Sequence, residues 1–221
     1  MKFEHTDAYN FENAIRGLRH PYESYAKADS YVDNNGIFIL GPNDTDLAQR
    51  MIKAGSPNDK FLRQILVSVD ITAPLYLWKE IDQYKVGTVT DSQSTMHKLV
   101  SQPITKDCFE MDDYDGSIKI YDREPYNIDE CVDDMWDSII DYCETLRQRY
   151  IETKDLRYWK ELIRILPSGW NQTRTWTGNY ANLRGMYHWR KNHKLSEWRE
   201  DGICGWIATL PLADELLLFE N

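Results

Sequence analysis

The 221-residue chain lacks most of the features that announce a function. It has only four cysteines, Cys108, Cys131, Cys143 and Cys204, and no C-x-x-C pair, so neither a zinc ribbon nor a thioredoxin-like motif is encoded. They read as reduced, buried or half-buried thiols of a cytoplasmic protein. No run approaches the ~18 apolar residues of a membrane span. The opening "MKFEHTDAYNFENAIRG" is charged and aromatic, without the apolar core of a signal peptide. Basic residues are outnumbered, 26 Lys and Arg against 36 Asp and Glu, for a formal net charge of -10. This excludes a broad nucleic-acid surface, but a small anionic ligand needs only a few local cations. Repeats and low-complexity tracts are missing, as are G-x-S-x-G, the Walker loop, G-x-G-x-x-G and H-E-x-x-H. His5, His20, His97, His188 and His193 have no metal-ligand spacing, and no metal is expected.

What the chain has in quantity is aromatic surface, with 8 Trp and 14 Tyr. Such richness belongs to a packed globular protein or to flat ligand-stacking surfaces, and the length suits one domain spanning residues 1–221. "GIFILG" (Gly36–Gly41) reads as a buried strand. "NDTDLAQRMIKAG" reads as a helix capped by Asn43 or Asp44, with Leu47, Met51 and Ile52 inward and Gly55 as its stop. "KFLRQILVSVDI" is β-rich, Val67, Val69 and Ile71 alternating with Ser68 and Asp70. Pro74 is expected to open the next helix, with Leu77, Trp78, Ile81 and Tyr84 on one face. "DYDGSIKIYDREPYN" reads as an acidic hairpin turning at Asp115-Gly116. It is not a calcium loop, because Met111 and Asp122 stand where such a loop needs an acid and a Glu. After Ile128 the pattern is helical throughout: one helix with Cys131, Met135, Ile139, Tyr142 and Leu146 inward, a second ending at Pro167, and a third from about Thr173 to Lys191. The fold class is therefore α+β, a β-containing N-terminal half followed by a helical C-terminal half.

Two stretches offer chemistry. "YKVGTVTDSQSTMHK" (Tyr84–Lys98) presents Lys85, Ser92, Gln93, Ser94, Thr95 and His97, with Gly87 allowing close backbone approach. Such donors and acceptors suit phosphate, ribose or a base edge, yet a polar loop capping the next helix through Ser94 or Thr95 has the same composition. In the second, Asn179 and Arg190 are eleven residues apart, close to three helical turns, which would put an amide and a guanidinium on one face. Arg190 is equally at home as the counter-charge at a helix C-terminus.

The chain also resembles the flavin-dependent thymidylate synthases over about residues 60–210. The residues that carry the likeness are "ITAPLYLWKEIDQYKVGTVTDSQST", where Tyr84 to His97 fits the family signature RHRxxSxNExSxRY without gaps, and "LPSGWNQTRTWTGNYANLRGMYHWR" followed by "LSEWRE". Leu166, Pro167, Trp176, Thr177, Asn179, Leu183, Arg190 and Trp198 match the family's C-terminal pattern. The resemblance implies a homotetramer with intersubunit active sites, in which FAD carries a methylene from methylenetetrahydrofolate to dUMP and NADPH is the reductant. It implies that Arg190 holds and polarises the pyrimidine as the catalytic residue, with Ser92, Gln93, Ser94 and Thr95 lining the nucleotide site. It further implies that Lys85 and Asn179 contact the flavin cofactor.

The departures are as specific as the matches. Tyr84, Lys85 and Val86 stand where the family has Arg-His-Arg, replacing two bidentate forks by one point charge. Asp91 and Ser92 replace Asn and Glu, Met96 and His97 replace Arg and Tyr, and Ala181 and Gly185 replace Arg and Asn. Two readings follow. One is an enzyme of this type acting on a pyrimidine nucleotide. The other is a catalytically inactive protein that senses or sequesters a nucleotide in the same pockets.

Overall fold

The computed structural model describes residues 1–120 and 130–220. They form two compact units, one of Met1, Thr72–Ile81 and Ser92–Arg174, the other of Lys2–Ile71, Asp82–Asp91 and Thr175–Asn221. A four-stranded sheet runs in the order β1 (Lys2–Tyr9), β4 (Leu66–Pro74), β6 (Asn171–Asn179), β5 (Val89–Ser92). A separate ribbon pairs β2 (Tyr31–Val32) with β3 (Phe38–Ile39). With eight α-helices besides among the described residues, the α+β class holds.

In the larger unit, α1 (Phe11–Leu18) buries Phe11, Ala14, Ile15 and Leu18, the i, i+3, i+4, i+7 stripe of an amphipathic helix. The "GIFILG" stretch is not the buried strand its composition predicts. Only Phe38 and Ile39 pair, and Ile37 is 58% exposed, because a two-residue ribbon has no second face to cover it. Helix α2 (Pro42–Ala54) is capped by Gly41 and carries Pro42 in its first turn, so neither Asn43 nor Asp44 is the cap. The Asp29 carboxylate serves instead, accepting from the amides of Asn43 at 2.8 Å and Asp44 at 3.1 Å. Asp44 is buried and accepts from Arg19 Nε at 2.6 Å, Ser30 Oγ at 2.6 Å and the Ser30 amide at 2.9 Å. Burial raises its pKa, but the bonds from Ser30, Asp29 and Arg19 together bring it below the ordinary value.

A 3-10 segment, Asn58–Gln64, takes the first half of the stretch expected to be β-rich, and β4 starts at Leu66. From there Val67, Val69 and Ile71 are buried in alternation with Ser68 and Asp70, as the period of two requires. Residues 173–179, expected to be helical, are instead in β6. Three threonines and Trp176 favour the pleated state, and the pairs Ser68–Thr177 (2.7 Å) and Asp70–Thr175 (2.5 Å) show β6 running antiparallel to β4. Helix α7 (Tyr180–Arg190) therefore begins only at Tyr180.

The other unit has α3 (Leu75–Ile81), which buries Leu77, Trp78 and Ile81 as expected but ends before Tyr84, so Tyr84 is not on that face; Pro74 ends the strand rather than opening the helix. Helices α4 (Thr95–Ser101), α5 (Val132–Thr153) and α6 (Leu156–Ile165) surround a core of Leu99, Ile104, Phe109, Cys143, Leu162 and Trp170. On α5 the inward stripe is Trp136, Ile139, Ile140, Cys143 and Leu146, whereas Tyr142, expected inside, is 69% exposed. The buried face is centred one residue on from the predicted one, and one residue is about 100° around a helix. Asp115-Gly116 is not a hairpin apex. Asp115 accepts from the Ser117 amide, and the chain then pairs Ile118 and Ile120 with Val132 and Glu130. The connecting residues, Asp122 among them, lie outside the described residues.

Two stability predictions follow from the charge pairs. Removing Asp44 strands a buried guanidinium, so Asp44→Ala is expected to cost about 3–5 kcal/mol in urea unfolding. Glu144 accepts two bonds from Arg147 and one from the Ile104 amide, and the Arg147 bonds above all pull its pKa from 4.5 to about 2. A folded value below the unfolded one means that the stabilisation is complete above pH 4.5 and lost as the pH falls toward 2. Glu144→Gln should flatten the urea midpoint against pH across that window.

Candidate functional site

In the larger unit the junction of β6 and α7 is built on Asn179. Its backbone is extended, and its Oδ1 caps α7 by accepting from the Asn182 amide at 3.1 Å. Its Nδ2 donates to the Val86 carbonyl at 3.3 Å, which ties the segment 82–91 to the start of the helix. Gly87 sits against this amide with φ +71, and a Cβ there would lie 3.1 Å from Asn179 Nδ2. A left-handed backbone and a close neighbour together require glycine. Thr88 Oγ1 closes the turn by donating to the Tyr84 carbonyl at 2.8 Å. Lys85, expected to serve a cofactor, projects from this turn as an exposed cation. Asn179 is thus not on the helix face with Arg190 that the eleven-residue spacing predicts; it is the residue before the helix.

Arg190 is the last residue of α7. Its Nε donates to Tyr84 Oη at 3.0 Å, its Nη1 lies 3.0 Å from His193 Nε2, and its guanidinium carbon lies 4.9 Å from the Trp198 ring centroid. Trp198 is fully buried, and Tyr84 packs against it with ring centroids 6.1 Å apart. A guanidinium over an indole gains a cation–π term of about 0.5–2 kcal/mol, and the ring dictates the plane of the fork. Arg190 is therefore far more than a counter-charge at a helix end. Sequence reading marked Arg190 and Trp198 but missed His193, only three residues beyond Arg190 and weighed there for metal spacing alone, and the phenol of Tyr84, which a separate segment 106 positions away delivers.

In the other unit the hydroxyl-rich segment has a structural occupation. Ser94 caps α4, accepting from the His97 amide at 3.4 Å. The Gln93 amide donates to the Thr173 carbonyl at 2.9 Å. Gln172, which the sequence does not single out, organises the segment: its Nε2 donates to the Gln93 carbonyl at 2.7 Å and Thr95 Oγ1 at 3.0 Å, and its Oε1 accepts from Arg174 Nε at 2.9 Å. Arg174 in turn stacks on Trp78 at 4.4 Å, and Trp78 Nε1 donates to the Gln172 carbonyl. Ser92 is exposed at the end of β5.

A cleft of about 630 Å³ runs along α7 in the larger unit, lined by Ala181, Arg184, Gly185, His188 and Trp189 with Asp59 and Glu220. Trp189 is 79% exposed beside it. Arg184 stacks on Phe219 at 4.3 Å and donates to the Leu217 carbonyl at 2.8 Å, which His188 Nε2 also approaches, at 2.9 Å. Burial, and then the nearby Arg184, lower the His188 pKa, so the neutral ring that donates to Leu217 is the stable form. Among the described residues no cluster of His, Cys, Asp or Glu is arranged to hold a metal, and no helix is long and apolar enough to cross a membrane.

The two anchors can be tested separately. Gln172→Leu leaves its carbonyl, hydroxyl and guanidinium partners without that amide and should cost about 2–3 kcal/mol, with faster hydrogen exchange through residues 93–98. Gly87→Ala forces a Cβ into the left-handed turn and should lower stability by about 1–2 kcal/mol in thermal unfolding.

No family model matches the chain, and no curated protein matches it in sequence. Solved structures do match. The crystal structure of flavin-dependent thymidylate synthase ThyX from Helicobacter pylori complexed with FAD and dUMP aligns at a TM-score of 0.64 and 14% identity, over 99% of this chain and 98% of that one. A second Helicobacter pylori ThyX structure, also with FAD and dUMP, aligns at a TM-score of 0.66 and 16% identity over the same shares. Nearly complete coverage of both chains, against an identity this low, is agreement of backbone path. The chain has the fold of the flavin-dependent thymidylate synthases.

Proposed function

We propose that this protein binds a pyrimidine mononucleotide of the dUMP class, with Arg190 as the residue that holds and polarises the base. The observation that carries the reading is the Arg190 fork, held in plane by Tyr84, His193 and Trp198 at the end of α7, on a fold whose solved examples bind dUMP. Such a fork matches the carbonyl oxygens of a pyrimidine or a phosphate. Ser92, Gln93, Ser94 and Thr95 are proposed to add hydrogen bonds in intersubunit pockets of a cytoplasmic homotetramer, Ser94 while also capping α4. The chain is read as one folding domain, since neither compact unit is a continuous stretch.

A resident flavin dinucleotide fits these residues poorly. Its diphosphate needs several convergent donors, whereas Lys85 is one point charge and the Asn179 amide is engaged by Val86 and Asn182. In the α7 cleft, Arg184 and His188 are directed at Leu217, and Asp59 and Glu220 add carboxylates. No step is therefore routed through FAD, NADPH or methylenetetrahydrofolate. Sensing or sequestration of the nucleotide is the role proposed for the protein. The enzyme reading, FAD-mediated methylene transfer to dUMP, has in its favour the full-length agreement with structures that contain FAD and dUMP.

Native mass spectrometry, an absorbance spectrum and a dUMP titration of the same preparation decide between them. A tetramer without flavin absorbance that binds dUMP is the expected result, and charge reversal in Arg190→Glu should weaken that binding on the order of 100-fold. Stoichiometric FAD with tritium release from labelled dUMP would restore the enzyme reading. Unchanged dUMP affinity in Arg190→Glu would remove Arg190 from the site.

A further inference from the structure

We infer that Tyr84 is a positioning residue for Arg190, setting the orientation in which the guanidinium meets a nucleotide; the inference rests on the nucleotide reading given above. An arginine at the last residue of a helix has four side-chain torsions and little helix packing to restrain them. Left to itself it samples many rotamers and loses that side-chain freedom when a ligand fixes it. Here the freedom is removed before any ligand arrives. The Trp198 face, 4.9 Å away, sets the plane of the guanidinium, and the Nε–H···Oη bond of 3.0 Å to Tyr84 sets its rotation within that plane. His193 Nε2, 3.0 Å from Nη1, marks a second point on the fork.

Tyr84 suits the task chemically. Its oxygen is a neutral acceptor, so it directs the Nε–H without itself cancelling the positive charge that an anionic or carbonyl-bearing ligand would meet. Its ring packs on Trp198 at 6.1 Å and lies 6.0 Å from the Arg190 guanidinium, so the phenol is fixed by the same indole that it helps Arg190 to use. Its backbone is fixed as well, because the Tyr84 carbonyl accepts from Thr88 Oγ1. Orientation established in the free protein appears as affinity, since the ordering cost no longer falls on the binding step.

The test combines Tyr84→Phe, which removes one oxygen and keeps the ring, with Arg190→Lys, which keeps the charge and removes Nε. Affinity for dUMP is measured by calorimetry in the wild type, both single variants and the double variant, and exchange of the Arg190 Nε–H is followed by NMR in the free protein. Tyr84→Phe is expected to weaken dUMP binding about five- to tenfold, to speed Nε–H exchange, and to change nothing further in the Arg190→Lys background. Equal weakening in both backgrounds, or unaltered Nε–H exchange, overturns the positioning role and leaves the nucleotide reading standing. If Arg190→Lys binds dUMP as tightly as the wild type, Arg190 leaves the site and the positioning role falls with it; absence of dUMP binding in the wild type is the separate result that sinks the nucleotide reading.

Discussion

Asn179 is the residue on which the geometry around Arg190 depends. One side chain ends a strand, caps a helix and holds a distant turn. Its oxygen takes the Asn182 amide, its nitrogen gives to Val86, and the next residue, Tyr180, donates its amide to the Ile65 carbonyl. The switch from extended to helical backbone therefore leaves few polar groups unserved at a place where water is excluded. The direction in which α7 departs, and with it the position of Arg190 ten residues later in the chain, is set there. The ring of Tyr180 lies buried beneath the junction and edge-on to Phe11, with its hydroxyl donating to the Pro211 carbonyl. Burial pushes the phenol's pKa far above its usual value, so it remains a donor.

The cations of this acidic chain are held in more than one way. Lys106 lies between Asp133 and Asp137, Arg147 is forked onto Glu144, and Arg19 is sealed against Asp44. These contacts neutralise charge and brace loops against helices, and a ligand would gain nothing from them. Contacts of Arg190 with a phenol, an imidazole and an indole face fix a direction as well as a charge. In the reading proposed above, a ligand within hydrogen-bond reach of this fork is screened far less than the overall negative potential, which matters little beyond about 10 Å in salt.

Several elements were legible from local pattern because local pattern causes them. The alternation of Val67, Val69 and Ile71 can be satisfied only by a strand with one buried face, and the stripe of Leu77, Trp78 and Ile81 only by a helix. The stretch from Thr173 to Asn179 was misread because its aromatic and threonine spacing tolerates either period; pairing with β4 decided for the strand. "GIFILG" was misread because apolar composition does not state whether a partner surface exists. Asp44 looked like a cap from its place just before the stripe of Leu47, Met51 and Ile52, yet Asp29, fifteen residues earlier, serves the helix and Asp44 serves Arg19.

The sequence by itself determined the class of the fold, the single-point replacement of the signature arginines and the two residues, Arg190 and Trp198, around which a site could form. These are consequences of residue identity and of short-range periodicity, which the chain carries wherever it goes. Only the tertiary structure decided that Ser94 spends its oxygen on a helix cap, that Gln172 holds the Gln93–Thr95 segment, and that Tyr84 meets Arg190. Tyr84 and Arg190 are separated by 106 positions, and their hydrogen bond exists because a strand, a left-handed glycine turn and a helix cap bring two distant backbones together. No local spacing encodes that meeting, since the free energy that enforces it lies in the packing of all three.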